Sequence, residues 1–202
     1  VPNGSPASFE KTSIKPGEYI LGINGELISC NELLYNWLNR FDGKYVELLV
    51  NKEPKKEGAR TVRFKLISWK GFNQLIYRNH LARAQDFTAK KSDGKIGYVH
   101  IPSMGESDQK QFEREVYEYI QDKDAIIFDV RFNGGGRISD ALIDMLERKQ
   151  HGIYKARDGG PEPAPGLSWN KPIVVIMNEH SYSNAEMFPY AIRQRGLAKL
   201  VG

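Results

Sequence analysis

Two stretches of this chain carry residue types suited to acyl-transfer chemistry. The first is Asn178-Glu179-His180-Ser181-Tyr182-Ser183-Asn184-Ala185-Glu186, between the apolar run 172–177 and a helix-like segment over 185–195. A small polar turn in that position exposes a hydroxyl. The free N–H groups and dipole of the following helix favour negative charge beside it. A serine nucleophile needs both, because its tetrahedral intermediate carries an oxyanion. Ser and Asn are also ordinary N-cap residues, so the turn alone does not choose between chemistry and capping.

The second stretch is Asp129-Val130-Arg131-Phe132-Asn133-Gly134-Gly135-Gly136, which follows the apolar run 125–128 and precedes a helix-like segment. Consecutive glycines open backbone conformations closed to other residues and let a ligand approach the N–H groups. The spacing G-x-G-x-x-G and a Gly-Lys-Ser/Thr ending are both missing, which argues against a dinucleotide or phosphate loop. Asp129 and Arg131 can pair to fix the loop, and a tight strand–helix turn remains the simpler reading. In an α/β sheet, however, the carboxyl ends of interior strands converge on one crevice. A nucleophile from 178–186 and donors from 133–136 would then meet.

The elements that must position these stretches are legible in the apolar patterning. Strands are expected at 96–101, 125–130, 152–156 and 172–177, and helices at 109–120 (through Phe112, Val116, Tyr117 and Ile120), 138–146 and 185–195. Pro189 should shorten or kink the last helix. The segment 158–170, rich in Gly and Pro, reads as a surface loop bordering a groove, with Asp158 and Glu162 in it. Lys199–Gly202 reads as a strand or turn beginning. This half is an α/β layered core.

Residues 1–69 read as mostly β. Tyr19–Ile23 is a short strand closed by the turn signal Asn24-Gly25, and Asn31 is placed to cap a helix through Leu33, Leu34, Trp37 and Leu38. Strands follow at 45–50 and 61–66. Residues 70–91 form a helical connector containing a solvent-exposed His80, and 92–202 the core.

Composition limits the partners. At 202 residues with 40% hydrophobic and 27% charged content, the chain has enough apolar sequence for real cores. A net charge of +4 with scattered Lys and Arg gives nucleic-acid binding little support. No apolar run reaches the roughly 18 residues of a membrane span. The single cysteine, Cys30, excludes an internal disulfide and is expected to be buried. Neither stretch has a metal-ligand pattern, and no cofactor is expected. Val1 is not an initiator residue and the pattern opens abruptly, so we expect a piece of a longer protein.

The motifs Gly94–Pro102 (G-K-I-G-Y-V-H-I-P), 129–136 (D-V-R-F-N-G-G-G) and 178–186 (N-E-H-S-Y-S-N-A-E) together resemble the tail-specific, or carboxyl-terminal processing, peptidases. Within these they are most similar to the tricorn-type serine proteases, to which Phe188-Pro189-Tyr190-Ala191 adds. Asn3-Gly4-Ser5-Pro6-Ala7 with Ile14–Gly25 resembles the later part of a PDZ domain. The resemblance implies an α/β protease core (a crotonase/ClpP-like layered sheet with helices) preceded by a partial, mostly β PDZ-like domain. It implies Ser183 as nucleophile, with backbone N–H groups of Asn184 and of Gly135, with Gly134 close behind, forming the oxyanion hole. Asp129, Arg131 and Asn133 would support the loop. Asn184 departs from the Asp common after the serine in tricorn-like enzymes.

The resemblance also places the general base outside 1–202, as a His upstream, oriented by a distant Glu, or as a downstream Lys. His100, His151 and His180 are expected to be structural, so the 202-residue chain alone should be nearly inactive. Peptides or unfolded polypeptide segments are the implied substrates, and a homo-oligomeric ring the implied assembly. Retinoid-binding proteins that share the core without peptidase work supply the alternative, a non-catalytic peptide- or lipid-binding protein.

Overall fold

The computed structural model describes residues 3–9, 11–119, 121–166 and 168–202. The chain forms two compact units, Val1–Ala82 and Arg83–Gly202. The division falls inside the connector helix expected at 70–91, which spans α2 (Trp69–Lys91).

The first unit is built on an antiparallel sheet. It contains β1 (Tyr19–Ile23), β2 (Glu26–Leu27), β3 (Tyr45–Asn51) and β4 (Arg60–Lys65), in the order β2-β1-β3-β4. Asn24 and Gly25 both take positive φ (50° and 86°), as a two-residue hairpin turn requires. Strand β3 alternates, burying Val46, Leu48 and Val50, and these pack with Ile23 and Val62. Arg60 clamps Glu18 with two bonds, of 2.6 and 3.0 Å. The short helix α1 (Leu34–Leu38) lays Leu34, Trp37 and Leu38 against this core.

Two expectations fail in this unit. Asn31 does not cap α1: the helix begins after Leu33, and the Asn31 N–H donates to Ser29 Oγ at 3.2 Å. Cys30 is exposed, because it sits in the turn between β2 and α1 rather than on a packed face.

The second unit is a parallel sheet of β5 (Ile96–His100), β6 (Ala125–Asp129), β9 (Ile173–Ile176) and β10 (Lys199–Val201), in the order β10-β9-β6-β5. Strand β6 pairs with β5 on one side and β9 on the other, in registers that bring His100, Asp129 and Ile176 level at the carboxyl ends. An interior parallel strand is covered on both faces, which explains the unbroken apolar run at 125–128. Three helices connect the strands: α3 (Glu106–Glu118), α4 (Ser139–Leu146) and α5 (Asn184–Gln194).

Helix α3 buries Phe112 and Val116, while Tyr117 faces solvent; Ile120, expected on the same stripe, lies outside the described residues. Phe112 meets Phe128 with ring centroids 5.1 Å apart. Each fully buried side chain of this kind contributes about 1.5–3 kcal/mol. Leu142 and Ile143 of α4 and Ala185, Phe188 and Ile192 of α5 complete the core.

The expected shortening at Pro189 does not occur, since α5 runs on to Gln194. Pro189 lies in the second turn and is buried, so the helix loses one ladder bond but keeps its packed face. The expected loop at 158–170 is partly a strand. There β8 (Pro161–Ala164) pairs antiparallel with β7 (Gly152–Lys155), placing Glu162 opposite Tyr154. Proline-rich sequence can form such an edge pair because an edge strand leaves one row of N–H positions unused. Among the described residues no helix is long and apolar enough to cross a membrane.

Candidate active site

Ser183 immediately precedes α5 and is exposed, with φ +56° and ψ −118°. An ordinary N-cap serine is extended, with negative φ. Capping therefore does not require this conformation, and a non-glycine residue held there stores strain of order 1–3 kcal/mol. The surroundings hold it in place. The Ser183 N–H donates to Glu186 Oε2 at 2.5 Å. Ser181 is buried, and its hydroxyl donates to the Val130 carbonyl at 2.9 Å. Asn178 Oδ1 accepts from the N–H of Phe132 (3.1 Å) and of His180 (3.3 Å). The Tyr182 N–H donates to the Asn133 carbonyl at 2.9 Å. Three of these bonds tie the serine turn directly to the glycine loop.

Gly135 has φ +91°, and a Cβ placed on it would fall 2.7 Å from the Tyr182 carbonyl oxygen, 2.9 Å from Ser183 Cβ and 3.1 Å from the Asn184 nitrogen. Only glycine allows this approach. Gly136 bridges to Met104, where a Cβ would lie 1.9 Å from the Met104 carbonyl oxygen. Gly134 is exposed, with open space around its Cα. The two motifs separated in sequence are thus in contact at the carboxyl ends of β6 and β9.

The donors differ in state. Asn184 is the first residue of α5, so its N–H has no intrahelical acceptor. The Gly135 N–H instead donates to Asn133 Oδ1 at 2.8 Å. The Asn184 side chain is committed elsewhere. Its Oδ1 accepts from the Ser139 N–H (2.9 Å), and its Nδ2 donates to Ser139 Oγ (2.7 Å), joining the starts of α5 and α4.

Asp129 is buried and accepts from the Tyr98 hydroxyl (2.6 Å), the Arg131 N–H (2.9 Å) and the Arg131 guanidinium (2.5 Å at the shortest). Burial works against its charge, but the hydrogen bonds from Arg131 and Tyr98 outweigh it and hold the carboxyl below its usual range. Burial first, and then the bond to Asp129, pushes the Tyr98 hydroxyl up against the opposing effect of Arg131, and the bond to Asp129 raises Arg131. The cluster fixes the strand-to-loop corner just before Phe132, itself at φ +60°.

The remaining candidates lie apart. Asp158 and Glu162 are exposed in and beside the β7–β8 hairpin, and among the described residues neither bonds to the serine turn. His100 approaches the Arg131 carbonyl at 3.4 Å, and His151 is exposed at the start of β7. His180 stacks on Phe132, with centroids 5.2 Å apart, and its Nε2 lies 3.6 Å from Glu179. His80 is exposed on α2. Sequence reasoning gave no role to Asn178, Ser181, Glu186, Ser139 or Tyr98. The first three stood inside the quoted motif 178–186 as polar residues with no apolar period to explain them, and Tyr98 stood inside the quoted motif Gly94–Pro102; Ser139 carried no signal.

The second unit is thus a mixed α/β arrangement in which a parallel sheet presents a strained serine at one strand end, against a glycine loop at the next. Residues 95–202 match the family model "Peptidase family S41". Over 98% of the chain, the sequence is 35% identical to the Tricorn protease of Thermoplasma volcanium and 31% identical to the Putative Tricorn-like protease C-terminal subunit of Sulfurisphaera tokodaii. It spans only 19% and 22% of those two proteins. A crystal structure of the tricorn protease superposes on 96% of the chain, with a TM-score of 0.76 and 28% identity, while the chain covers 18% of that structure. The chain belongs to the S41 peptidases, a serine-type family, and is a tricorn protease homologue matching about a fifth of those relatives' length.

Proposed function

We propose that Ser183 is the nucleophile of a serine peptidase that hydrolyses peptide bonds in peptides or unfolded polypeptide segments. The observation that carries this reading is the pairing of a strained, exposed Ser183 with the Gly135 backbone packed against it. Ser183 Oγ adds to the substrate carbonyl carbon, the carbonyl π pair moves onto its oxygen, and the hydroxyl proton passes to a general base. Backbone N–H groups of Asn184 and Gly135, with Gly134 as second choice, receive the oxyanion. Such donors are each worth about 10²–10³ in rate.

The base is a His or Lys from outside residues 1–202. The structure supports this placement because among the described residues no imidazole or amine bonds to Ser183 Oγ, and His180 is turned onto Phe132. The first unit is a PDZ-like module, supported by its β2-β1-β3-β4 sheet with a short helix on it. Assembly is a homo-oligomer.

The test is labelling of the full-length protein with a fluorophosphonate serine probe, alongside hydrolysis of fluorogenic peptides. Labelling and turnover, both lost in Ser183→Ala, are expected. Absence of labelling together with tight binding of a peptide or lipid would make this a binding protein on a peptidase fold. Turnover by the 202-residue chain alone would place the base inside it.

A further inference from the structure

Asn133 has no exposed surface and is held on four sides. Its Nδ2 donates to the Ile101 carbonyl beyond the end of β5 at 2.8 Å, and its Oδ1 accepts the Gly135 N–H at 2.8 Å. Its own N–H donates to the Val130 carbonyl at 3.2 Å, and its carbonyl accepts from Tyr182 at 2.9 Å. One partner of the side chain is a carbonyl and the other an N–H, so the amide orientation is fixed by its neighbours. The N–H of Gly135, whose Cα packs against the Ser183 turn, is therefore already satisfied by the Asn133 amide before any substrate arrives.

We propose that Asn133 is a positioning residue that holds the Gly135 N–H on its own amide oxygen and cedes it only to the oxyanion. This rests on Ser183 being the nucleophile and Gly135 a donor. Exchanging one neutral amide oxygen for another, the substrate carbonyl, gains nothing net. Exchanging it for a charged oxygen does, because charge-assisted hydrogen bonds are roughly twice as strong as neutral ones. The Gly135 bond then forms in the transition state and not in the ground state, the kind of interaction that raises kcat without tightening substrate binding. A neutral acceptor is essential to the device. A carboxylate at the same place would hold the N–H too strongly to release it.

Asn133→Asp tests this in the full-length protein. Ionised, the carboxylate retains Gly135 and repels the Ile101 carbonyl; protonated, it reproduces the amide's one donor and one acceptor. At neutral pH the variant should lose about 10²-fold or more in kcat with KM little changed. It should bind a peptidyl boronate about 10²-fold more weakly than wild type, while binding the uncleavable peptide amide equally well. Acidification should restore boronate affinity. In the wild-type protein carrying ¹⁵N-glycine, the Gly135 amide should be protected from exchange, unmoved by the peptide amide and strongly shifted by the boronate; this readout does not depend on the variant folding. Serine labelling at Ser183 with an unmoved Gly135 amide would overturn the proposal and leave the peptidase reading standing. Loss of labelling and of boronate binding in wild type would overturn both. Equal weakening of boronate and peptide amide in Asn133→Asp, without recovery in acid, would reduce Asn133 to a structural role.

Discussion

Gly135 and Ser183 share one small volume, since a single methyl carbon added to Gly135 would sit 2.9 Å from Ser183 Cβ. They are 48 positions apart in sequence (183 minus 135) and arrive from the ends of neighbouring parallel strands. Their contact turns a glycine-rich turn and a polar turn into one site.

Gly135→Ala should remove that site without unfolding the sheet. The added carbon meets backbone at Tyr182 and Asn184 rather than a movable side chain, and φ of +91° is itself unfavourable for alanine. A loss of at least about 10²-fold in kcat/KM is expected, with the circular dichroism spectrum retained. Near wild-type peptide hydrolysis by this variant would separate the glycine loop from the chemistry.

Asp129→Asn tests the corner that carries the loop. Asp129 has its folded pKa held down, so its stabilising contribution is present above the unfolded value near 4 and is lost as pH falls through the lower folded value. The variant should cost about 2 kcal/mol at neutral pH, the scale of hydrogen bonds to a charged group. Its stability should also fall less steeply on acidification. Urea midpoints measured from roughly pH 2 to pH 7 check both, across the unfolded Asp range. Parallel wild-type and variant pH profiles would contradict the assignment.

Glu115 on α3 carries the opposite sign. Burial pushes its carboxyl up, partly offset by the hydrogen bond from Gln111 and the charge of Arg114, and Oε2 is buried without a partner among the described residues. The folded state therefore holds this proton more tightly than the unfolded chain. Stability falls as pH rises from the unfolded value near 4.3 through the raised folded value. Glu115→Gln keeps the Gln111 contact and removes the buried charge, so it should stabilise the protein at neutral pH by up to about 1 kcal/mol. The gain should vanish well below pH ~4. Thermal melts at two pH values decide it, and a destabilised variant at neutral pH would count against the burial argument.

Much of this architecture was legible before folding, for identifiable reasons. Strand β6 is an unbroken apolar run because both its faces are covered, and α3 and α4 show their buried stripes at helical spacing. Hairpin β1–β2 was marked by Asn24-Gly25, whose positive φ values few other residue pairs tolerate. Cys30, Asn31 and the β7–β8 hairpin were misread. Exposure of a lone cysteine, the competition between Ser29 and a helix for Asn31, and an edge pairing of proline-rich sequence all depend on neighbours that local composition does not name.

The same division runs through the site. Residue types and their order along the chain determined that Ser183, Asn184 and the run Gly134–Gly136 stand at the ends of interior strands, because apolar runs and glycine turns are local signals. Only the tertiary structure decided that Gly135 rather than Gly134 lies against the serine, and that Ser183 takes a strained backbone. It alone decided that the Gly135 N–H is held by Asn133 and that the Asn184 side chain is committed to Ser139. Register between parallel strands and the hydrogen bonds that close a loop are long-range choices, set by packing across the sheet.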